Sequence, residues 1–218
     1  MATITAQQII DKCEIVLQDT TNIRWPVAEL LGWLNDAQRE VVAFRPDAAN
    51  KVAQMSVVAG TKQTLPGDGY QLLNVVRNYD AGGTVAGRAV RKVPQELLDA
   101  QLPDWHSTSA TASVLHYTFD PRSPRVFYVY PPSTGTTKLE ILYSATPTLL
   151  AAVGDVITVD DIYANVLTDY VCYRAYSKDF ELTGNQQRAD YHYAKFEGSL
   201  GKKAQSDAAS AQGNEVRG

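Results

Sequence analysis

The segment from Arg24 to Pro46 constrains the fold most, because it specifies one long amphipathic helix with a marked beginning and end. Pro26 suits the first helical turn, where a backbone N–H would have no partner. Pro46 disfavours helical geometry at the residue before it and so marks the end. Apolar side chains recur between them at helical spacing: Val27, Leu30, Leu31, Leu34 and Val41. Three more widen this stripe to one side: Trp33, Ala37 and Phe44. A stripe this wide predicts contact with more than one neighbour.

Three further helices are predicted outside this segment. The first spans Ala6 to Gln18, where Thr5 and Gln8 have the spacing of a capping box. The next begins at Asp160 or Asp161, since either carboxylate can cap a helix and favour its positive end. We therefore expect helical structure at both ends of the chain.

The last helix follows Gly184, a C-terminal stop for its predecessor, and Asn185 can cap its first turn. Gly198 and Gly201 each cost about 1 kcal/mol relative to alanine inside a helix. We therefore expect this helix to bend or fray before Lys202. The polar, small-residue sequence from 204 to 218 predicts a flexible tail.

The middle of the chain, from Lys51 to about Thr158, has the pattern of β-structure. Several runs are rich in β-branched and aromatic residues and are separated by turn signals, as in VAQMSVVAG, LLNVVRN, SVLHYTF, RVFYVYPP and TKLEILYSA. Pro131 and Pro132 are expected to end the fourth run, because proline cannot donate to a ladder. One short helix is predicted over Gln95 to Ala100.

These patterns predict an α+β fold in which helices from both ends form one bundle and a β-rich lobe is inserted between them. The predicted bundle comprises residues 1–48 and 159–203. The insert comprises residues 49–158 and is mostly antiparallel, and residues 204–218 form the tail.

Composition sets limits on compartment and stabilisation. A chain of 218 residues can bury a sufficient core without a metal or a disulfide. Cys13 and Cys172 both fall in helical patterns, which predicts buried free thiols in a reducing cytoplasm. We expect no signal peptide, since no basic stretch precedes an apolar run at the N-terminus. We also expect no membrane span, since no apolar run reaches ~18 residues.

The search for chemistry predicts no catalytic residue, metal site or cofactor site. Three histidines are present, none at metal-ligand spacing with another histidine or a cysteine: His106, His116 and His192. Within DWHSTS, Asp104 and His106 lie close to Ser107 and Ser109. A catalytic triad is assembled from separate elements, so adjacency in sequence argues against one here.

Charge and aromatic content point to assembly rather than catalysis. The net charge of −4 argues against tight general binding to nucleic acid. Arg88, Arg91 and Lys92 form a modest basic group that we interpret as a solvated face or an ion-pairing surface. The chain also has twelve tyrosines, a residue type favoured at protein interfaces. The predicted subunit-interface residues are Trp33, Ala37, Phe44, Tyr170, Tyr173 and Tyr176.

Four sequence pieces occur in an order that resembles bacteriophage head-to-tail adaptor (connector) proteins. They are RWPVAELLGWLNDAQREVVAFRPDA, VYPP, YSATP and VITVDDIYANVLTDYVCYRAYSKD. Each piece alone is a capped helix or a strand, whereas their order and spacing are more specific. The resemblance covers the chain from about Ile9 to Phe196.

The resemblance implies a structural virion protein at the head-tail junction, assembled in the host cytoplasm. Such adaptors form a homo-oligomeric, usually dodecameric, ring that docks on the portal and contacts the next tail component. The genome passes through the central channel without specific binding, and no membrane is involved. The C-terminal segment would reach the portal through Lys202, Lys203, Asn214, Val216, Arg217 and Gly218.

Two alternatives remain open at this point. One is a tail-completion or head-closure protein that binds the tail tube. The other is a virion peptidoglycan hydrolase using Asp104 and His106. Neither the channel-lining residues nor the tail type follows from the sequence.

Overall fold

A computed structural model describes residues 2–179 and 181–215, with only the backbone for residue 204 and residues 206–215. The chain divides into two compact units, Met1–Ala49 with Pro147–Gly218, and Asn50–Thr146. The predicted α+β class is confirmed: the described residues form five α-helices and two mostly antiparallel sheets.

The first unit, here called the helical unit, contains four of the helices. They are α1 (Ala6–Leu17), α2 (Val27–Phe44), α4 (Ala164–Lys178) and α5 (Asn185–Glu215). Helix α4 packs against the other three. The core consists of their apolar faces and includes Ile9, Ile10, Leu30, Leu34, Leu167 and Phe196.

Local signals set the ends of α1 and α2 as the sequence predicts. The Thr5 hydroxyl accepts from the Gln8 N–H, and the Gln8 side chain accepts from the Thr5 N–H, which completes the capping box. Gln18 ends α1 in the left-handed conformation with φ 57°. Pro26 occupies the N-cap position of α2, and Pro46 begins a 3-10 turn after the C-cap residue Arg45.

The predicted fraying of the last helix before Lys202 is wrong. Gly198 and Gly201 lie inside α5, which continues to Glu215. The backbone of the predicted tail is thus helical over 204–215, while its flexibility stays a prediction. Residues 216–218 lie outside the described part of the chain.

Residues 147–158, which the sequence assigns to the β-rich insert, belong to the helical unit. Two buried polar side chains of α2 hold them there. Asn35 donates to the Leu150 carbonyl (3.1 Å) and accepts from the Leu150 N–H (2.8 Å). Gln38 accepts from the N–H and the hydroxyl of Thr158 at 2.7 and 2.9 Å. These bonds hold the segment against α2.

Asp160 and Asp161 have separate roles before α4. Asp160 accepts from the Ile162 N–H and caps a 3-10 turn that leads into the helix. Asp161 instead accepts from the N–H and hydroxyl of Thr3 and from the N–H of Ile4, at 2.7–3.2 Å. These bonds with Thr3, and then the Ile4 N–H, lower the pKa of Asp161 below its ordinary value. Asp161 thus fastens the N-terminal segment.

Replacing Asp161 with alanine is expected to release Thr3 and Ile4. In the wild type, these bonds stabilise the segment above the ordinary carboxyl pKa and disappear as pH falls through the lowered folded-state value. The amide shifts of both residues, followed by NMR from neutral pH to about pH 2, should show this titration. Asp161→Ala should abolish it, whereas Glu181→Ala, at an exposed site, should not. Persistence of the titration in Asp161→Ala would contradict this assignment.

The second unit, here called the β unit, contains eight strands and one short helix, α3 (Gln95–Gln101). The strands are β1 (Asn50–Ser56), β2 (Gly60–Thr64), β3 (Gly69–Tyr79), β4 (Ala86–Ala89), β5 (Arg91–Lys92), β6 (His116–Thr118), β7 (Val126–Ser133) and β8 (Lys138–Ala145). They form two sheets, ordered β1-β8-β3-β4 and β2-β7-β6-β5. Only β5 and β6 pair in parallel within this set.

The two sheets of the β unit share one apolar core. Side chains from both contribute, including Leu72, Val75, Tyr117, Phe127, Val129 and Ile141. Buried Asn78 on β3 donates to the carbonyls of Arg88 and Val114 and accepts from the Val114 N–H, each at 2.8 Å. This side chain ties the loop before β6 to β3.

The predicted end of β7 at its two prolines is wrong. The strand continues through Pro131 and Pro132 to Ser133, and Ser133 pairs with Gly60 of β2. Proline lacks a backbone N–H donor but keeps its carbonyl acceptor. The Pro132 carbonyl accepts from the Thr111 N–H at 2.8 Å.

None of the helices in the described part of the chain combines the length and apolar character that crossing a bilayer requires.

Candidate assembly surface

Aromatic rings from α2, α4 and α5 form a connected cluster in the helical unit. Phe196 lies at its centre, with ring centroids 6.2 Å from Phe44, 5.2 Å from Tyr170 and 6.1 Å from Tyr193. Tyr173 extends the cluster, with its centroid 4.8 Å from that of Tyr193. Edge-on and tilted contacts at these separations are favourable for aromatic pairs.

The structure places the predicted interface residues at very different depths. Ala37, Tyr170 and Tyr176 are buried in the core of the helical unit. The Tyr176 hydroxyl donates to the Val16 carbonyl at 3.2 Å, and its ring contacts Trp25 edge-on. The packing of the unit itself therefore accounts for these three side chains.

The remaining three predicted residues reach the surface. Trp33 and Tyr173 are half-buried against the core, and Phe44 is 51% exposed. Since an aromatic ring buries a large area when covered, Phe44 is the strongest of the six candidates for contact with another chain. The interface role stays a prediction.

A groove of about 270 Å³ lies beside Phe44, between the end of α2 and the middle of α5. Its lining residues are Phe44, Arg45, Glu197, Leu200 and Gly201. Arg45 is held by Asp47 through two bonds of 3.0 and 2.8 Å. We call this lining set the Phe44 groove. It combines an exposed aromatic ring with polar groups at its edge, as interface patches do.

Electrostatics favour a neutral tyrosine next to the groove. Tyr193 precedes Glu197 by one helical turn on α5. Burial, followed by a hydrogen bond to Glu197, raises the pKa of Tyr193. The phenol therefore keeps its proton at neutral pH and can donate to the carboxylate.

Small residues form a flank of α5 adjoining the groove. Ala194, Gly198 and Gly201 are exposed and lie at positions that share one side of the helix. Nothing lies within 4 Å of the place where a Cβ would stand at either glycine. The fold of the chain itself thus gives no steric reason for glycine here, although each costs about 1 kcal/mol. The two glycines are visible in the sequence, where they indicate a helix that bends or frays.

The predicted portal contacts lie beyond this flank. Lys202 is exposed and Lys203 is half-buried on α5. Asn214 lies on the same helix, where only the backbone is described. Val216, Arg217 and Gly218 lie outside the described residues, so the proposed contact stays a prediction.

Of the two candidate hydrolase residues, His106 is engaged in packing and Asp104 is exposed. His106 stacks on fully buried Trp105, with ring centroids 3.7 Å apart. The His106 Nδ1 lies 2.8 Å from the Thr61 hydroxyl, and the indole N–H of Trp105 donates to Asp99. Asp104 is an exposed residue at the start of this 3-10 turn. The DWHSTS motif anchors a loop of the β unit.

A histidine–carboxylate pair that sequence inspection missed joins α4 to α5. The His192 Nδ1 lies 2.8 Å from the Asp169 carboxylate, and Lys195 lies 3.9 Å from the same oxygen. The Tyr176 ring stacks on His192 with centroids 5.8 Å apart. The residues are distant in sequence, so only the packing of the helices could reveal the pair. Its position indicates a role in holding α5.

No cluster of three or more histidine, cysteine, aspartate or glutamate side chains with metal-binding geometry occurs among the residues that the structure describes. The basic group of Arg88, Arg91 and Lys92 lies exposed on β4 and β5. Lys92 sits over the Phe119 ring at 4.5 Å. These cations are consistent with a solvated face.

Comparison with known proteins gives one family match. A family model described as SU10 adaptor protein matches residues 4–217. No curated protein matches the chain significantly.

Proposed function

Because the chain belongs to the SU10 adaptor protein family, a family of phage head-to-tail adaptors, we propose that it closes into a homo-oligomeric, dodecameric ring. This ring docks on the portal, contacts the next tail component and leaves a channel for the genome. The family itself makes the chain a structural virion component. An adaptor family also indicates a structural protein rather than an enzyme.

The main structural support for the proposed ring is the Phe44 groove together with the small-residue flank of α5. A ring needs heterologous contacts, in which one patch meets a different patch on the next copy. A half-exposed aromatic ring can fill a pocket on a neighbour, and glycines allow a helix backbone to approach closely. In this proposal, a second copy covers the groove and the flank.

The charge of the protein supports passage of DNA without binding. Tight non-specific binding requires clustered lysine and arginine that neutralise phosphates. The chain instead carries a net charge of −4. A mildly acidic ring would let the duplex slide through its channel. Assembly of this ring takes place in the host cytoplasm under the proposal.

The direct test is to measure mass distributions of the purified chain alone and mixed with isolated portal rings, then image the mixture by electron microscopy. We expect a ring of adaptor copies on one end of each portal. Monomers in both samples would overturn the proposal. Binding to isolated tail tubes but not to portals would instead support the tail-completion alternative.

Truncation after Lys203 is expected to weaken portal docking while leaving the helical unit folded. Among the residues whose side chains the structure describes, Leu200 is the last one buried in the core. The dissociation constant for portal rings should rise about tenfold or more, a loss of at least ~1.4 kcal/mol. Titration by mass photometry and a thermal melt would measure both effects.

Truncation after Glu215 provides the matched control, because it removes only the residues outside the described helix. An intermediate affinity would assign part of the contact to Val216, Arg217 and Gly218. Equal docking by the Lys203 truncation and the full chain would remove the C-terminal segment from the portal contact.

A further inference from the structure

Two cysteines that are distant in sequence meet in the core of the helical unit. Cys13 lies on α1 and Cys172 on α4, and both are fully buried. Both are free thiols. Helix α1 packs directly on α4, so the pair bridges an N-terminal and a C-terminal helix.

The local geometry places the Cys13 thiol next to the turn of α4 that carries Cys172. The Cys13 thiol donates to the Thr168 carbonyl at 3.8 Å. Thr168 precedes Cys172 by one turn of α4, which places Cys13 over the face that carries Cys172. Cys172 is the largest cause of the raised pKa of Cys13, as expected for neighbouring thiols. A disulfide requires Cβ atoms about 3.5–4.5 Å apart, a separation that side chains on facing turns of two packed helices can reach.

We propose that Cys13 and Cys172 form a latent disulfide site, at which oxidation joins α1 covalently to α4. The bond would link the two parts of the helical unit that the β unit separates in sequence. This goes beyond the assembly role, and its chemistry holds whether or not the chain forms a ring.

A small-molecule disulfide is the oxidant that balances the reaction. One cysteine thiol loses its proton, and the thiolate attacks the oxidant, forming a mixed disulfide and releasing one small thiolate. The second cysteine then loses its proton and attacks the protein sulphur of that intermediate, releasing the second small thiolate. The two protein thiols lose two electrons and two protons, and the oxidant becomes two thiols.

The same environment makes the reaction slow. The hydrogen bond to Cys172, and then burial, raise the pKa of Cys13 well above its ordinary value. Since the thiolate is the nucleophile, little of the reactive form is present at neutral pH. The oxidant must also reach a buried site, which requires α1 to open locally. Once closed, the bond is shielded from reductants in the same way.

The consequence depends on the compartment. A reducing cytoplasm keeps thiols free, whereas extracellular conditions allow disulfides to persist. A virion component passes from one environment to the other on release from the host. The site would then leave the helices free during assembly and lock them afterwards.

The test is to incubate the full-length protein with oxidised glutathione at mildly alkaline pH. Intact-mass spectrometry should show the loss of two hydrogen masses in the monomer, and peptide mapping should show a Cys13–Cys172 cross-link. The thermal midpoint should rise by about 5 °C or more and return on reduction. Cys13→Ala and Cys172→Ala, which cannot form the bond, should show no reversible gain in midpoint.

Three outcomes would overturn the proposal. Stable glutathione adducts without a cross-link would show that the second thiol cannot reach the first. Cross-links only between chains would show that the partner thiol lies elsewhere. Thiols that stay unreacted in urea concentrations that open α1, as judged by hydrogen exchange, would show that the pair is not oxidisable in the native fold.

Discussion

Replacing Gly198 with leucine is expected to stabilise the isolated chain and to weaken its assembly at the same time. Glycine costs about 0.8–1 kcal/mol relative to alanine in a helix interior, and leucine recovers most of that difference. Nothing lies within 4 Å of the new Cβ position. The thermal midpoint of the monomer should therefore rise by about 2–4 °C. If a second copy lies on the α5 flank, the leucine side chain will push the two surfaces apart. The dissociation constant of the oligomer should then rise tenfold or more.

The opposite signs of the two effects make this variant informative. A variant with a destabilised monomer can fail to assemble simply because it unfolds. If a variant with a stabilised monomer fails to assemble, unfolding cannot be the reason. Ser199→Leu is the matched control, because Ser199 is exposed on the same helix but points away from the flank. Because serine and leucine differ by only a few tenths of a kcal/mol in helix propensity, this control should change stability little and leave assembly unchanged. Unchanged assembly in Gly198→Leu would remove the flank from the subunit contact, and a ring would have to close through another surface.

The helix ends of this fold could be predicted because their causes are local. Thr5 and Gln8 satisfy each other within one turn, and Pro26 and Pro46 act on the residues beside them. The stripe of α2 was predictable for the same reason, since its period is a property of one helix. Leu30, Leu34 and Val41 are all buried as that stripe requires.

The depth of the tyrosines could not be predicted, because it depends on how many neighbours α4 has. A helix with only one neighbour would expose part of a Tyr170–Tyr173–Tyr176 set. Since α1, α2 and α5 all pack on α4, the structure buries Tyr170 and Tyr176 and leaves Tyr173 half-buried. The sequence predicts all three tyrosines as interface residues, but the helix faces that carry Tyr170 and Tyr176 are internal.

The two prolines of β7 show a different reason why a strand end could not be predicted from the sequence. Proline is excluded from a ladder only where its N–H would be needed. Pro132 occupies a place where its carbonyl accepts from Thr111, so the strand continues. The position of Thr111 follows from a loop whose course no local pattern specifies. The rule that proline cannot donate a backbone hydrogen bond holds here. It does not say whether the proline carbonyl will find a donor that lets the strand continue.

The burial of two asparagines also could not be predicted from the sequence, since a polar residue in a helix or strand ordinarily faces solvent. Asn35 in the helical unit and Asn78 in the β unit use the same arrangement. Each side chain binds both the N–H and the carbonyl of one distant residue, Leu150 or Val114. An amide is suited to this because it offers one acceptor and two donors. These two side chains fix segments that lack regular structure.

Asn35→Ala is therefore expected to destabilise the helical unit by about 2–4 kcal/mol. The substitution removes both partners of the Leu150 backbone, and an unsatisfied buried donor or acceptor costs about 1–3 kcal/mol. Leu150 is buried, so water cannot readily replace the lost bonds. Chemical denaturation should show a lower free energy of unfolding with little change in slope. Asn165→Ala, at an exposed position on α4, should stay close to the wild type.

Asn78→Ala tests whether the same physics operates in the β unit. The variant leaves Val114 without the partners that Asn78 supplies, and Val114 is fully buried. A loss of similar size is expected, with hydrogen exchange rising first at Val114 and in β6. An Asn35→Ala protein as stable as the Asn165→Ala control would mean that the Asn35 bonds are not needed to hold the 147–158 segment. The core side chains Leu150 and Ile157, with the Gln38 bonds to Thr158, would then account for its position.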